Sequence, residues 1–294
     1  MTQTTVKPEI ESSHQESSHQ ESSPKIYLSL NYWQLKYRSD LYPLLMLVSV
    51  ALIQFSVFFF CKQLKIASAV AFALLFPQLI LSIAVHNQAH IAMFRGSFPN
   101  WVINILFFLE TGMRVVQFQI QHNLGHHCFY LDPDRSKDPA ALAEADGSTM
   151  SRWKFMVRDI FLYIPDTMRI GKPYPHLLKR WYLELAICLA IPAILLILDP
   201  LKTLIVFLTP ILLSRRLFML IVYEDHVDLS IEDAYGASHT KKHSLANLLT
   251  FNNGYHLAHH LRPSLHWSKL PQFHQKIESK ITAVPSQTFL NQRF

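Results

Sequence analysis

The chain is poor in charge, in glycine and in paired cysteine, and each shortage excludes something. Only 16% of its 294 residues are charged and half are hydrophobic, whereas soluble domains carry about 25% charged residues, so the composition points to a membrane protein. Seven glycines against twenty phenylalanines suit long apolar helices better than a turn-rich β protein. The three cysteines, Cys61, Cys128 and Cys188, form no CxxC pair, which argues against a disulfide framework and against a cysteine-based zinc site. No glycine-rich phosphate loop, basic helix or aromatic RNA-binding pattern accompanies the net charge of +6, so nucleic acid is not an expected partner. What the chain does have is histidine, sixteen of them.

Residues 1–24 are polar and repeat an ESSHQ unit. They hold too little apolar surface to fold and are expected to form a disordered tail, leaving 25–294 as a single domain. Within the tail, Glu11 to His14 and Glu16 to His19 match the Glu-x-x-His spacing of carboxylate-bridged metal bundles, but such sites need packed apolar helices and none is expected there. No signal peptide is expected, because no apolar core closely follows Met1.

Four stretches approach the roughly 20 apolar residues that cross a bilayer: Leu41–Phe60, Ile66–Val85, Tyr182–Leu198 and Leu201–Val222. Short loops join the first two and the last two, predicting two helical hairpins. Arg215 and Arg216 place the end of the fourth embedded part near Leu213, with the helix continuing into water. A fifth apolar run, Trp101–Leu109, is too short to span and is expected to be interfacial or re-entrant. The two hairpin loops hold only Lys62, Lys65 and Lys202 of the 27 lysines and arginines. The positive-inside rule then puts residues 86–180, 223–294 and the N-terminus on the cytoplasmic side. The expected fold is all-α integral membrane: four transmembrane helices in two hairpins, an interfacial helix, and a cytoplasmic cap rich in histidine.

That cap receives three clusters: His86 and His90 in HNQAH, His122, His126 and His127 in HNLGHH, and His256, His259 and His260 in HLAHH. Helical i,i+4 spacing would put His86 with His90, His122 with His126, and His256 with His259 and His260 on shared faces. Imidazole suits zinc, copper, iron and nickel, and eight rings are too many for one ion, so two metals held mainly by histidine are expected. A single HxxxH arises readily by chance. Three clusters on one membrane face do not. His14, His19, His176, His239, His243, His266 and His274 are read as ordinary surface or hydrogen-bonded residues.

The three clusters, interleaved with two membrane hairpins, resemble the histidine boxes of the membrane fatty acid desaturase and hydroxylase superfamily. The stretches GYHLAHHLRPSLHWSKLP and HHCFYLDPDRSKDP are similar to its bacterial members, and the resemblance covers about residues 40–275. It implies a non-haem centre of two irons that uses O2 and two electrons to attack an unactivated C–H bond. Stearoyl-type relatives carry a ninth histidine about thirty residues before the third box, a place taken here by His226; the alternative is a plain surface histidine beside Glu224 and Asp225. The asparagine those relatives place four residues earlier is here Val222, with Asn253 as a weak substitute.

The resemblance further implies an acyl-chain substrate, presented as acyl-lipid, acyl-carrier protein or acyl-CoA, within membrane lipid. No b-type cytochrome domain with an HPGG-like motif is present in the sequence, so electrons are expected from an external, ferredoxin-type donor. Glu110, Asp132, Asp134 and Asp138 are candidates to orient imidazoles, or equally helix caps and ion-pair partners. Three readings remain open: a desaturase, including one forming a terminal alkene; a hydroxylase or ketolase on an acyl chain, alkane or carotenoid; and a non-catalytic metal carrier. The span interiors lack histidine and hold only Glu184 as an acid, which disfavours the carrier.

Overall fold

The computed structural model describes residues 30–281, apart from 131, 133, 135, 145 and 230–233. The expected tail at 1–24, with its two Glu-x-x-His pairs, lies outside the described residues. Among the described residues there is no strand, and four helices are long and apolar enough to cross a membrane.

Helices α1 (Leu41–Phe60) and α2 (Leu64–His90) form the first hairpin. After them α3 (Ser97–Thr111) turns through 88° into α4 (Val115–Phe118), which runs on as a π-helix over Gln119–His126. The turn is made at Gly112, whose φ of +71° is a left-handed conformation that suits glycine. The short apolar run is therefore the first arm of a re-entrant corner. Its residues Phe107 to Glu110 are buried within the protein.

A further helix lies at the surface, α5 (Arg152–Gly171). It exposes Trp153, Val157, Ile160, Phe161, Ile164 and Met168, the 3–4 residue spacing of an apolar stripe. On the inward side Asp159 pairs with Arg215 and Arg216 at 2.8 Å each. The arginines that sequence reading sent into water are thus held against α5.

The second hairpin consists of α6 (Pro175–Leu198), then α7 (Pro200–Thr203), a π-turn over Leu204–Leu208, and α8 (Thr209–His226). Inside a bilayer a π-turn leaves backbone groups without water, so they need partners from the protein. Gln54 of α1 meets this need, donating to the Val206 carbonyl at 2.5 Å. Helix α2 packs between α1, α3 and α8, and its Ile80, Leu81, Ile83, Ala84 and Val85 join the main core. Towards the hairpin loops the bundle exposes Phe60, Phe72 and Ile197, a belt that suits lipid.

Helix length carries the histidines clear of the bilayer. The 27 residues of α2 rise about 40 Å against a hydrocarbon core of about 30 Å. The last seven or so residues, with His86 and His90, therefore project beyond it. The same holds for the 27 residues from Pro200 to His226. Three short helices close this end: α9 (Ser244–Leu249), α10 (His256–Leu261) and α11 (Leu270–Ile277). Asp40, at the entrance to α1, anchors them by accepting from His266 Nε2 and Trp267 Nε1, both at 2.9 Å.

Candidate metal centre

Four segments converge at the projecting end of the bundle. Helix α2 extends through its HNQAH segment and so carries His86 and His90 on its last turns. The π-helix is tied to that end by Gln119 and Asn123, whose amides donate to the Ala89 carbonyl at 3.2 and 3.0 Å. On its other side Gln117 donates to Thr167 Oγ1 at 2.9 Å and Gln121 does so at 2.8 Å, which fixes it to α5. Helix α8 ends at His226, and α10 delivers His256, His259 and His260.

The nine histidines singled out in the sequence all meet here. His86, His90, His122, His127 and His259 bring one ring nitrogen each within 4.8 Å of one another, and His126, His226 and His260 form a second such group. His256 joins the second, its Nε2 lying 3.1 Å from Nε2 of both His226 and His260. Sequence spacing paired His122 with His126, and the structure corrects this. Five residues lie about 140° apart on an α-helix, and the i→i+5 bonding of a π-helix narrows that separation. The His127 N–H accordingly meets the His122 carbonyl at 2.8 Å, and the two Nε2 atoms are 3.0 Å apart. His126 is turned into the other group. The third cluster divides in the same way, with His259 in the first group and His256 and His260 in the second.

The residues around these rings orient them. His126 Nδ1 faces both oxygens of the fully buried Asp138 at 3.0 and 3.1 Å, which leaves Nε2 pointing at its group. Gly125 permits that approach, since a Cβ there would lie 2.9 Å from Pro139 Cδ. Tyr130 stacks on His260 with ring centres 4.0 Å apart, and its hydroxyl meets the Ala237 carbonyl. Beside His122 and His126 an apolar cavity opens, walled by Phe118, Phe155, Phe218, Met219 and Val222.

A family model for fatty acid desaturases matches residues 64–288. The chain belongs to the fatty acid desaturase family. No curated protein matches it. Membership gives this desaturase-family protein a desaturase- or hydroxylase-type function, and with the histidine groups it points to a metal site.

The side chains fit metal in three respects. Nε2 of His86, His90 and His126 is buried without a hydrogen-bond partner, an arrangement that costs free energy unless something binds these atoms. His127 Nε2 lies 3.0 Å from His122 Nε2 and 3.1 Å from His259 Nε2, yet one ring nitrogen has a single proton or lone pair and cannot satisfy both. Burial, followed by repulsion from neighbouring imidazoles, pulls the pKa of His127, His256, His259 and His260 below the usual 6.5. The rings are thereby kept neutral, the form that binds metal.

Of the four carboxylates proposed as orienting groups, Asp138 alone meets a site histidine among the described contacts. Glu110 accepts from Gln78 at 3.1 Å within the bundle, and Asp132 and Asp134 pair with Lys137 at the surface. Asn253 is directed at Asp225 Oδ2 at 3.4 Å. Val222 lines the cavity. None of His176, His239, His243, His266 and His274 joins either group: His239 meets the Val227 carbonyl at 2.9 Å, and His243 accepts from the Ala246 N–H. Sequence reading missed Tyr130 and the polar set Gln117, Gln119, Gln121 and Asn123. The alternation of amides through QFQIQHN was the available signal.

Proposed function

We propose that this chain is an O2-dependent acyl-chain desaturase whose nine histidines hold two irons. The observation that carries the reading is the pair of histidine groups beside an apolar cavity, with His122 and His126 forming part of its wall. When bound, two irons with O2 and two electrons supply an oxidant strong enough to remove hydrogen from an unactivated methylene. Electron bookkeeping then closes: two hydrogens from the chain, two protons, two electrons and O2 give a C=C bond and two waters.

The protein's own residues provide position and dryness. Phe118, Phe155, Phe218, Met219 and Val222 bind the methylenes by burial and exclude water from the reacting carbon. Asp138 holds His126 in one tautomer and orientation. The substrate is an acyl chain of the surrounding lipid, or one carried on acyl-carrier protein or coenzyme A. Electrons come from a ferredoxin-type donor. The excess of lysine and arginine at the histidine end supports a cytoplasmic orientation in a bacterial inner membrane.

The test is metal content and lipid analysis on one preparation, wild type beside His259→Ala, expressed in a bacterial host with a matching ferredoxin system. About two irons per chain, one for each histidine group, and a new unsaturated acyl product lost in the variant are expected. An oxygenated product would move the assignment to hydroxylase. Iron and product unaffected by His259→Ala would refute the metal assignment.

A further inference from the structure

The proposed desaturation needs two electrons from outside, and the surface next to the histidines has a marked charge asymmetry. Residues 238–281 contain six basic residues, Lys241, Lys242, Arg262, Lys269, Lys276 and Lys280, and one acid, Glu278. Lys241 is neutralised by Asp225 at 2.8 Å, and Lys242 by Glu278. Among the described residues no carboxylate pairs with the other four. Three of them rest on aromatic faces: Arg262 over Phe273 at 4.9 Å, Lys269 over Tyr37 at 5.6 Å and Lys280 over Tyr235 at 5.8 Å. An aromatic face holds a cation without cancelling its charge. About four positive charges are therefore presented to solvent by the segment that carries the third histidine cluster.

This surface does not face lipid. The large apolar side chains exposed within 238–281 are Leu245 and Leu248, both on α9, and none comes after them among the described residues. From α10 onward the surface is polar and basic. It is also close to the metal centre, since Arg262 is two residues beyond His260, whose ring stacks on His127 with centres 4.5 Å apart.

We propose that the Arg262–Lys269–Lys276–Lys280 face is the docking surface for an acidic soluble electron carrier, which delivers its electrons through the α10 end of the centre. The proposal rests on the redox reading of the histidine site. Charge complementarity selects the partner: opposite potentials speed encounter and fix register, and rim charges act mainly on the association rate. A phospholipid headgroup would meet the same charge, but it would be accompanied by exposed apolar anchors, and among the described residues of 250–281 no large apolar side chain is exposed.

The experiment measures binding of an acidic [2Fe–2S] ferredoxin to the full chain in neutral lipid nanodiscs, as association rate and Kd over a range of salt. Arg262→Glu with Lys269→Glu, and separately Lys276→Glu with Lys280→Glu, each change the face by four charges. Each pair is expected to slow association at least about tenfold at low salt, with the difference shrinking as salt screens it. Lys62→Glu with Lys65→Glu, at the opposite end of the molecule, should leave binding unchanged. Unfolding temperature and metal content, measured on every variant, guard against misfolding, and Arg262→Gln with Lys269→Gln should give an intermediate loss.

Ferredoxin binding that is indifferent to both reversals, or to salt, overturns the proposal. So does loss of binding to phosphatidylglycerol vesicles with ferredoxin binding intact, which would make the face a lipid site. Failure of the redox reading looks different: the purified chain would lack iron, or its iron would not be reduced by dithionite, whatever the ferredoxin does.

Discussion

Replacing Asp138 by asparagine should weaken one histidine group and spare the other. The carboxylate is fully buried and has two roles: it receives His126 Nδ1 at 3.0 and 3.1 Å, and its Oδ1 accepts the Ala140 N–H at 2.8 Å. Asparagine keeps the volume and can still cap Ala140. In exchange it offers His126 an amide N–H in place of a second anionic oxygen and removes the charge that fixes the tautomer. Losing such an orienting partner typically costs 10–100-fold in metal affinity, or about 1.4–2.8 kcal/mol. Because His126 belongs with His226 and His260, the loss should fall on one of two sites. Anaerobic titration of Fe(II) into metal-free protein, followed by metal analysis, should show one wild-type site and one weakened by this factor. His126→Ala should weaken the same site further. Equal weakening of both sites, or of neither, would refute the division into two groups. Thermal unfolding of the metal-free variant separates this effect from a folding defect.

Two further outcomes are expected from buried charge and from buried neutral histidine. Asp159 sits between Arg215 and Arg216, each at 2.8 Å, with its side chain 11% exposed. Asp159→Asn strands two cations beneath α5 and should destabilise the protein by about 3–5 kcal/mol, read as a lowered unfolding temperature; an unchanged one would show the cluster to be well solvated. For pH the sign is fixed by burial. His127, His256, His259 and His260 have folded pKa values below 6.5, so below that pH the unfolded chain binds more protons. Their contribution to stability is complete above about pH 6.5 and is lost as pH falls beneath it, by up to about 1.4 kcal/mol per pH unit for each ring that stays neutral. Unfolding of the metal-free protein at pH 7.5 and 5.0 should show the drop, and bound metal should add to it because protons compete for the same nitrogens. A flat profile would mean the rings are open to water.

Hydropathy made the bundle legible, because the bilayer forces long apolar runs into helices and leaves few alternatives. The clusters were legible as well, since HNQAH, HNLGHH and HLAHH place imidazoles just beyond span ends. Their allocation was not. Counting in fours assumes an α-helix, and the residues from Gln119 to His126 are a π-helix held by tertiary contacts that the sequence does not display: the Gln119 and Asn123 amides on Ala89, and Pro139 against Gly125. Asp138 was one of four equivalent carboxylates in the sequence, and only the loop geometry after His127 sets it apart. Trp101–Leu109 was expected to be interfacial or re-entrant, and the corner at Gly112 agrees with the second. The amphipathic helix α5 went unnoticed: besides its apolar stripe it carries Asp159, Asp166 and three arginines, so its mean hydropathy is low and a search for apolar runs passes over it.

The division of the histidines bears on how an oxidant can be kept apart from the protein around it. Each of the second and third clusters sends ligands to both groups, His122 and His127 against His126, and His259 against His256 and His260. Neither group can therefore shift without moving a helix that also serves the other. Both α2 and α8, which carry His86, His90 and His226, are rooted in the membrane bundle and pack directly on one another. The spacing between the groups is thus tied to direct packing of α2 on α8 within the bundle. The cavity is walled by residues of the π-helix, α5 and α8, and α10 contributes none of its described walls. Under the proposed function, an acyl chain in that cavity and an electron carrier docked beyond α10 would not compete for the same space, so the carrier has no need to enter the apolar cavity from which water must be excluded.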